Sequence, residues 1–119
     1  MAREPVVAER VLATGIPVVY CNLVGGQDEL VFDGASCLMT DDARIALQLP
    51  QFQASVATAD YVRGAWTTPV VSAAPISLDA QIYKALVLGV RDYFAKNGFA
   101  GAYIGLSGGI DSALTLCVA

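Results

Sequence analysis

The chain has 119 residues, 55% of them hydrophobic, with 7 Lys and Arg against 11 Asp and Glu, a formal charge of −4 and no His. That length is one ordinary domain at most. Without clustered cations there is no electrostatic basis for tight nucleic-acid binding, and without His neither Ser-His-Asp nor Cys-His nucleophile activation, nor a His-containing zinc site, is open to this chain. Met1 to Arg10 carries Arg3, Glu4, Glu9 and Arg10 where a signal peptide has an apolar core, and no stretch reaches the roughly 18 unbroken apolar residues of a membrane span. Neither nucleic acid nor membrane is an expected partner, and the cytoplasm is the expected compartment. Cys21, Cys37 and Cys117 are odd in number, far apart and set in apolar runs, which predicts reduced, buried thiols.

In chain order, Glu4–Thr14 repeats Val7, Val11 and Ala8, Leu12 at a spacing of four, with Gly15 placed to stop a short amphipathic helix. Ile16–Cys21 is β-branched and apolar, predicting a strand covered on both faces. Asn22–Gly34 follows, with Gly25-Gly26-Gln27-Asp28-Glu29 as a polar turn anchored by Leu30 and Phe32. Scaffold and interface are equally open roles for it, and Asp28 and Glu29 have no catalytic part. Ser36–Thr40 and Arg44–Leu49 flank Asp41-Asp42-Ala43 as a hairpin, and Pro50 ends regular structure.

Gln51–Ser77 is rich in Ala, Ser, Thr and Pro without periodicity and reads as a connector. A helix is expected next, with Leu78, Ile82, Ala85, Leu86, Gly89, Val90, Tyr93 and Phe94 as its apolar stripe, Ser77 as N-cap and Asn97-Gly98 as its stop. Ala102–Leu106 is a short apolar strand, Ser107-Gly108-Gly109 breaks it, and Ile110–Ala119 is helix-compatible. The apolar tail Leu114, Leu116, Cys117 and Val118 has nothing after it to cover it, so the chain reads as the end of one domain and the beginning of another. Tyr20, Trp66 and Tyr83 are aromatics of the packing kind, with adenine stacking as the rival role. Lys84, Arg91 and Lys96 form no single stripe and are expected on solvated faces.

The chemistry lies in Gly105-Leu106-Ser107-Gly108-Gly109-Ile110-Asp111-Ser112. Strand, glycine turn and helix start place successive N–H groups where they surround an anion, and phosphate is the natural guest. Gly108 and Gly109 allow close approach, and the hydroxyls of Ser107 and Ser112 are further donors. A carboxylate beside phosphate is repulsive unless a cation intervenes, so Asp111 points to Mg²⁺ and hence to a metal-bound nucleotide. This is not a Walker A loop, because no Lys follows Gly109. On the residues alone, a plain strand-to-helix turn with Asp111 and Ser112 complementing the helix dipole also remains open.

Ser-Gly-Gly-Ile-Asp-Ser resembles the S-G-G-x-D-S pyrophosphate loop of the ATP pyrophosphatases, which cleave ATP between the α and β phosphates. Two further stretches resemble one group within them, the glutamine-dependent NAD synthetases. Gln81–Leu86, Arg91–Tyr93 and Lys96–Phe99 look like the helix before the loop, while Pro17–Tyr20, Asn22 and Val24–Ser36 look like the late part of a nitrilase-like glutaminase domain. The resemblance implies an α/β architecture: residues 1–52 as the C-terminal remnant of a nitrilase-like α-β-β-α sandwich, 53–76 as linker, and 77–119 as the first helix-strand-loop-helix of an adenine nucleotide alpha hydrolase-like parallel-sheet domain. It implies ATP and Mg²⁺ as cofactors, with Gly105, Leu106, Ser107, Gly108, Gly109, Ile110, Asp111 and Ser112 binding ATP and Asp111 the metal. It also implies deamido-NAD and glutamine as partners of a homo-oligomeric parent enzyme.

The glutaminase Glu, Lys and Cys of that family fall outside the matched segment, and Cys21, at the end of an apolar strand, is not promoted to nucleophile. The alternatives are another S-G-G-x-D-S enzyme, either an amidotransferase ligase or a tRNA-modifying one, and an inert truncation or interaction module. The isolated 119-residue chain is expected to be inactive.

Overall fold

A computed structural model describes residues 3–67 and 71–119. The chain divides into two compact units, Met1–Asn22 with Gly34–Ala74, and Leu23–Asp33 with Pro75–Ala119. Sequence order and spatial grouping therefore part company at Leu23–Asp33, which lies early in the chain but belongs to the second unit.

In the first unit, helix α1 spans Arg3–Thr14 and buries Val11 completely. It stops where the Gly15 N–H, at φ +66°, donates to the Val11 carbonyl at 2.7 Å. Four strands form one sheet in the order β1 (Val18–Tyr20), β4 (Cys37–Met39), β5 (Ile45–Gln48) and β8 (Val71–Ser72). The first two pairings are antiparallel, and the last is parallel, with Leu47 opposite Val71 and Gln48 opposite Ser72. The β4–β5 hairpin forms where expected. Thr40 and Asp42 close its turn, Arg44 Nε donates to Asp42 Oδ2 at 2.7 Å, and the Thr40 hydroxyl holds the Asp42 carboxyl below its ordinary range.

Leu38, Ala46 and Leu47 make the core, with Leu49, Ala59 and Trp66 packed against them. Trp66 lies in a second small hairpin, β6 (Tyr61–Val62) with β7 (Ala65–Trp66), and its Nε1 donates to the Met39 carbonyl at 3.2 Å. The stretch read as a featureless connector thus carries three short strands, β6, β7 and β8, one of which completes the sheet. Trp66 and Tyr61 stack on each other at 4.8 Å, so packing is the role of Trp66. Tyr20 lies beneath the Arg3 guanidinium at 5.9 Å.

Asn22 marks the exit from this unit and Gly34 the return. Asn22 Nδ2 and Arg3 Nη1 donate to the Gly34 carbonyl at 2.9 and 3.1 Å, and the Asn22 N–H donates to Ser36 Oγ at 2.9 Å. The two ends of the excursion are stapled together.

In the second unit, β2 (Val24–Gln27) and β3 (Leu30–Asp33) pair antiparallel around Asp28-Glu29, with Asp28 at φ +52°. The polar turn expected at Gly25–Glu29 is therefore the tip of a hairpin. Helix α2 runs Leu78–Asn97, capped by Ser77 Oγ accepting the Ala80 N–H at 3.3 Å. It ends at left-handed Gly98, after which the Phe99 N–H returns to the Phe94 carbonyl at 3.0 Å. Helix α3 spans Ile110–Val118, and Tyr83 Oη donates to the Cys117 carbonyl at 2.8 Å, giving Tyr83 a helix-joining role in place of adenine stacking.

Several expectations need correction. β1 is shorter than Ile16–Cys21 and is an edge strand, and Val19 and Ile16 are exposed, so it is not covered on both faces. Ala102–Leu106 is not a strand, since among the described residues no segment pairs with it and a ladder requires a partner; Tyr103 is fully exposed. On α2 the stripe members Leu78, Ile82, Leu86 and Tyr93 are exposed, while Leu88, outside the stripe, is 3% exposed. Cys37 is buried, and burial pushes its thiol pKa up, with Glu4 adding and Arg3 opposing; Cys21 and Cys117, expected in the core, are exposed.

Candidate functional site

Two glycine pairs organise the second unit. The first, Gly25-Gly26, is closed. A Cβ on Gly26 would lie 3.2 Å from Gly89 Cα and 3.4 Å from Asp92 Cβ, and one on Gly89 would lie 3.2 Å from Val31 Cγ2. Hairpin and helix thus meet closely, backbone to backbone at Gly26 and backbone to the Val31 side chain at Gly89, and a side chain at either position would force its neighbour to give by a few tenths of an ångström. Asp92 Oδ2 accepts the Gly26 N–H at 2.8 Å, while Lys96 Nζ donates to the Gly26 carbonyl and, at 3.0 Å, to Gln27 Oε1. The Gly26 N–H holds the Asp92 carboxyl below the ordinary carboxylate range, against burial, with Arg91 and Lys96 helping. Lys96 lies on an exposed face, as its spacing implied, and is engaged there with the hairpin.

The second pair, Gly108-Gly109, is open. Gly105 and Gly108 have nothing within 4 Å of a notional Cβ, and Gly109 meets only Ser107 Oγ at 3.6 Å. Gly108 takes φ +85°, turning the chain so that Gly109, extended at φ −83° and ψ 161°, becomes the N-cap of α3. No side chain caps that terminus. The first intrahelical bond runs from the Ala113 N–H to the Gly109 carbonyl at 3.2 Å, so the N–H groups of the first turn face outward at the positive end of the dipole.

Ser107 and Ser112 lie together: their hydroxyls are 3.1 Å apart, and the Ser107 N–H points to Ser112 Oγ at 3.3 Å. Ser112 Oγ donates to the Gly109 carbonyl at 2.9 Å, and the Gly109 N–H points to Ser107 Oγ at 3.4 Å. The two serines thereby fix the loop against the helix start. Leu106 and Ile110 are exposed on either side, and Asp111 stands exposed in the first turn, its carbonyl accepting from Thr115 Oγ1 at 2.9 Å. The structure brings all eight expected residues, Gly105 to Ser112, into one loop and helix start; the lone carboxylate of Asp111 suits Mg²⁺, which takes one or two carboxylates and completes its shell with phosphate and water. Among the described residues no group of three or more metal-ligating side chains occurs.

Sequence reasoning missed Gly26, Gly89, Asp92 and Lys96. The available signal was a Gly-Gly pair inside an apolar run together with an Asp and a Lys four apart on a helix, a pattern that fits many solvated helices equally well.

The family profile described as "NAD synthase" matches residues 82–119, the part of the chain that holds most of α2, the glycine loop and α3. Over 98% of its length the chain matches the glutamine-dependent NAD(+) synthetases. It is 47% identical to the Rhodobacter capsulatus protein of that description over 120 residues and 38% identical to the Synechocystis one over 119. The solved structure of glutamine-dependent NAD+ synthetase from Acinetobacter baumannii, in complex with adenosine diphosphate, superposes with a TM-score of 0.87 at 42% identity, covering 98% of this chain and 22% of that one. The chain spans 22% of the length of the Rhodobacter relative and 21% of the Synechocystis one. No helix among the described residues is long and apolar enough to cross a membrane.

Proposed function

We propose that this chain contributes the diphosphate-gripping loop of an ATP-dependent, glutamine-hydrolysing NAD+ synthetase. In that reaction deamido-NAD is adenylated by ATP with release of pyrophosphate, and glutamine-derived ammonia then displaces AMP. The observation that carries the reading is the uncapped α3 N-terminus behind left-handed Gly108, with open space around both glycines, in a chain similar throughout to an ADP-bound synthetase.

The β and γ phosphates rest on the N–H groups of Gly108, Gly109 and the first α3 turn, flanked by Gly105, Leu106 and Ile110. Ser107 and Ser112, now bonded to each other, rotate their hydroxyls onto phosphate oxygens. Asp111 would be the residue to hold Mg²⁺, which would supply charge neutralisation for the departing diphosphate. Residues 1–52 belong to the glutaminase side, 53–76 to the connection, which also carries β6, β7 and β8, and 77–119 to the synthetase side; turnover requires the parts of the enzyme that the relatives carry beyond this segment, working as a cytoplasmic homo-oligomer.

The test is product analysis on protein expressed from the intact gene, with deamido-NAD, Mg-ATP and either glutamine or ammonia. AMP and pyrophosphate are expected in equal amounts with NAD+. Release of ADP and inorganic phosphate instead would remove the assignment. AMP and pyrophosphate without NAD+ would move it to another acceptor of the same chemistry.

A further inference from the structure

In an antiparallel hairpin with a two-residue turn, the pair next to the turn exchanges both ladder bonds and the following residue faces outward. Gln27 pairs with Leu30 around Asp28-Glu29, so the N–H and C=O of Gly26 point away from β3, along the free edge of β2. Such an edge is normally left to water or taken by another strand. Here α2 takes it: Asp92 accepts from the Gly26 N–H and Lys96, four residues on, donates to the Gly26 carbonyl. Two side chains on one helix face thus satisfy both polar groups of a single residue. The hydrogen bond is charge-assisted at each end, and the Asp92 side chain is only 18% exposed. The glycines at positions 26 and 89 bring the backbones close enough for side chains of this length to reach. The contact reads one position of the hairpin and fixes its register on the helix, which a merely greasy contact would not.

Resting on the function proposed above, we propose that Asp92 and Lys96 are positioning residues: they clamp the Leu23–Asp33 hairpin, a glutaminase-side segment, onto the helix that leads into the phosphate loop, so that glutamine hydrolysis stays in step with adenylate consumption. Neither residue touches the reacting atoms. Their contribution is to keep the hairpin in one place relative to α2, and losing it uncouples the two half-reactions without disabling either.

The experiment uses protein from the intact gene and follows three quantities: NAD+ formed from ammonia, NAD+ formed from glutamine, and glutamate released per NAD+. In Asp92→Ala the ammonia-driven rate is expected to stay within about twofold of wild type, while glutamate released per NAD+ rises by about threefold or more, since modest misplacement costs rate steeply where two groups must meet. Asp92→Asn keeps an acceptor oxygen for the Gly26 N–H and is expected to restore the ratio. Lys96→Met removes the other half of the clamp and gives the same rise if Asp92→Ala does not fold. Amide exchange at Gly26, expected to quicken in Asp92→Ala, reports the clamp independently of turnover. An unchanged glutamate ratio in both Asp92→Ala and Lys96→Met, with Gly26 exchange quickened, overturns the coupling role. Unchanged Gly26 exchange overturns the clamp itself. A wild-type protein that makes no NAD+ from ammonia refutes instead the function on which the proposal rests.

Discussion

Gly25-Gly26 and Gly108-Gly109 are the same dipeptide put to opposite uses. At the first, absent side chains let a hairpin and a helix touch, and the main-chain groups of buried Gly26 that β3 leaves unpaired are met by Asp92 and Lys96. At the second, nothing fills the space the missing side chains leave, and the helix start beyond it has no cap. A glycine pair in a sequence thus says only that the backbone is wanted bare. Whether it is bare for the protein's own contact or for a guest is decided by what the fold brings within about 4 Å of it, the range of van der Waals contact.

That contrast can be broken most directly at the open pair. Gly108→Val puts a β-branched side chain at φ +85°, where L residues are strained, and re-aims the N–H groups proposed to hold phosphate. In protein from the intact gene, ATP-dependent NAD+ formation is expected to fall by about 100-fold, the size of losing one preorganised oxyanion donor. The same backbone strain lowers stability by about 1–3 kcal/mol, so activity is compared at temperatures where the variant stays folded. Unchanged NAD+ formation there would mean that the loop does not grip phosphate.

The closed pair should respond in the reverse sense. Gly26→Val drives atoms into Gly89 and Asp92 and is expected to destabilise the protein by about 1–3 kcal/mol, the usual cost of overpacking. Nucleotide affinity, measured by titration with ADP, should be unchanged at temperatures where the variant stays folded. Equal loss of affinity and stability would show that the two pairs do not serve separate purposes.

The smallest effect sharpens the picture of the clamp by pH. The Gly26 N–H depresses the Asp92 carboxyl below its ordinary value, so its stabilising contribution is fully present above the ordinary carboxylate pKa of about 4 and is lost as pH falls through the depressed value. Urea midpoints of wild type and Asp92→Asn should therefore differ most at pH 6 and converge toward pH 3, with a gap well under that caused by Gly26→Val. A gap that widened in acid would reverse the sign of the interaction.

The legible parts of the fold were those set by local chemistry. Ser77 and Gly98 bound α2 because a cap and a left-handed stop act within one turn, and Thr40–Arg44 joins β4 to β5 for the same reason. The loop Gly105–Ser112 was legible because strand-breaking glycines, a first-turn acid and two serines sit within eight residues. What stayed hidden depended on distant partners. Asp28-Glu29 is not a favoured two-residue turn, and Gly25-Gly26 lowers strand propensity, so β2–β3 emerges only once α2 is there to receive it. Ala102–Leu106 shows the converse, apolar enough for a strand yet with no ladder to join among the described residues. Leu88 is buried in place of Ile82 and Leu86 because periodicity gives a helix its stripes but not the identity of its neighbour.

The staple at the root of the β2–β3 arm has a further consequence. Asn22 ties the outgoing and returning strands together through the Gly34 carbonyl and through Ser36, so β1 ends before the arm begins and the sheet resumes with β4 only after the arm has closed. The loop-closure entropy is met at the root, and lengthening such an insert costs only about 0.6 kcal/mol per doubling. Root and tip are therefore insulated from each other: the register of β1 on β4 does not depend on Asp28-Glu29, while the arm itself stays held at Gly26 by α2.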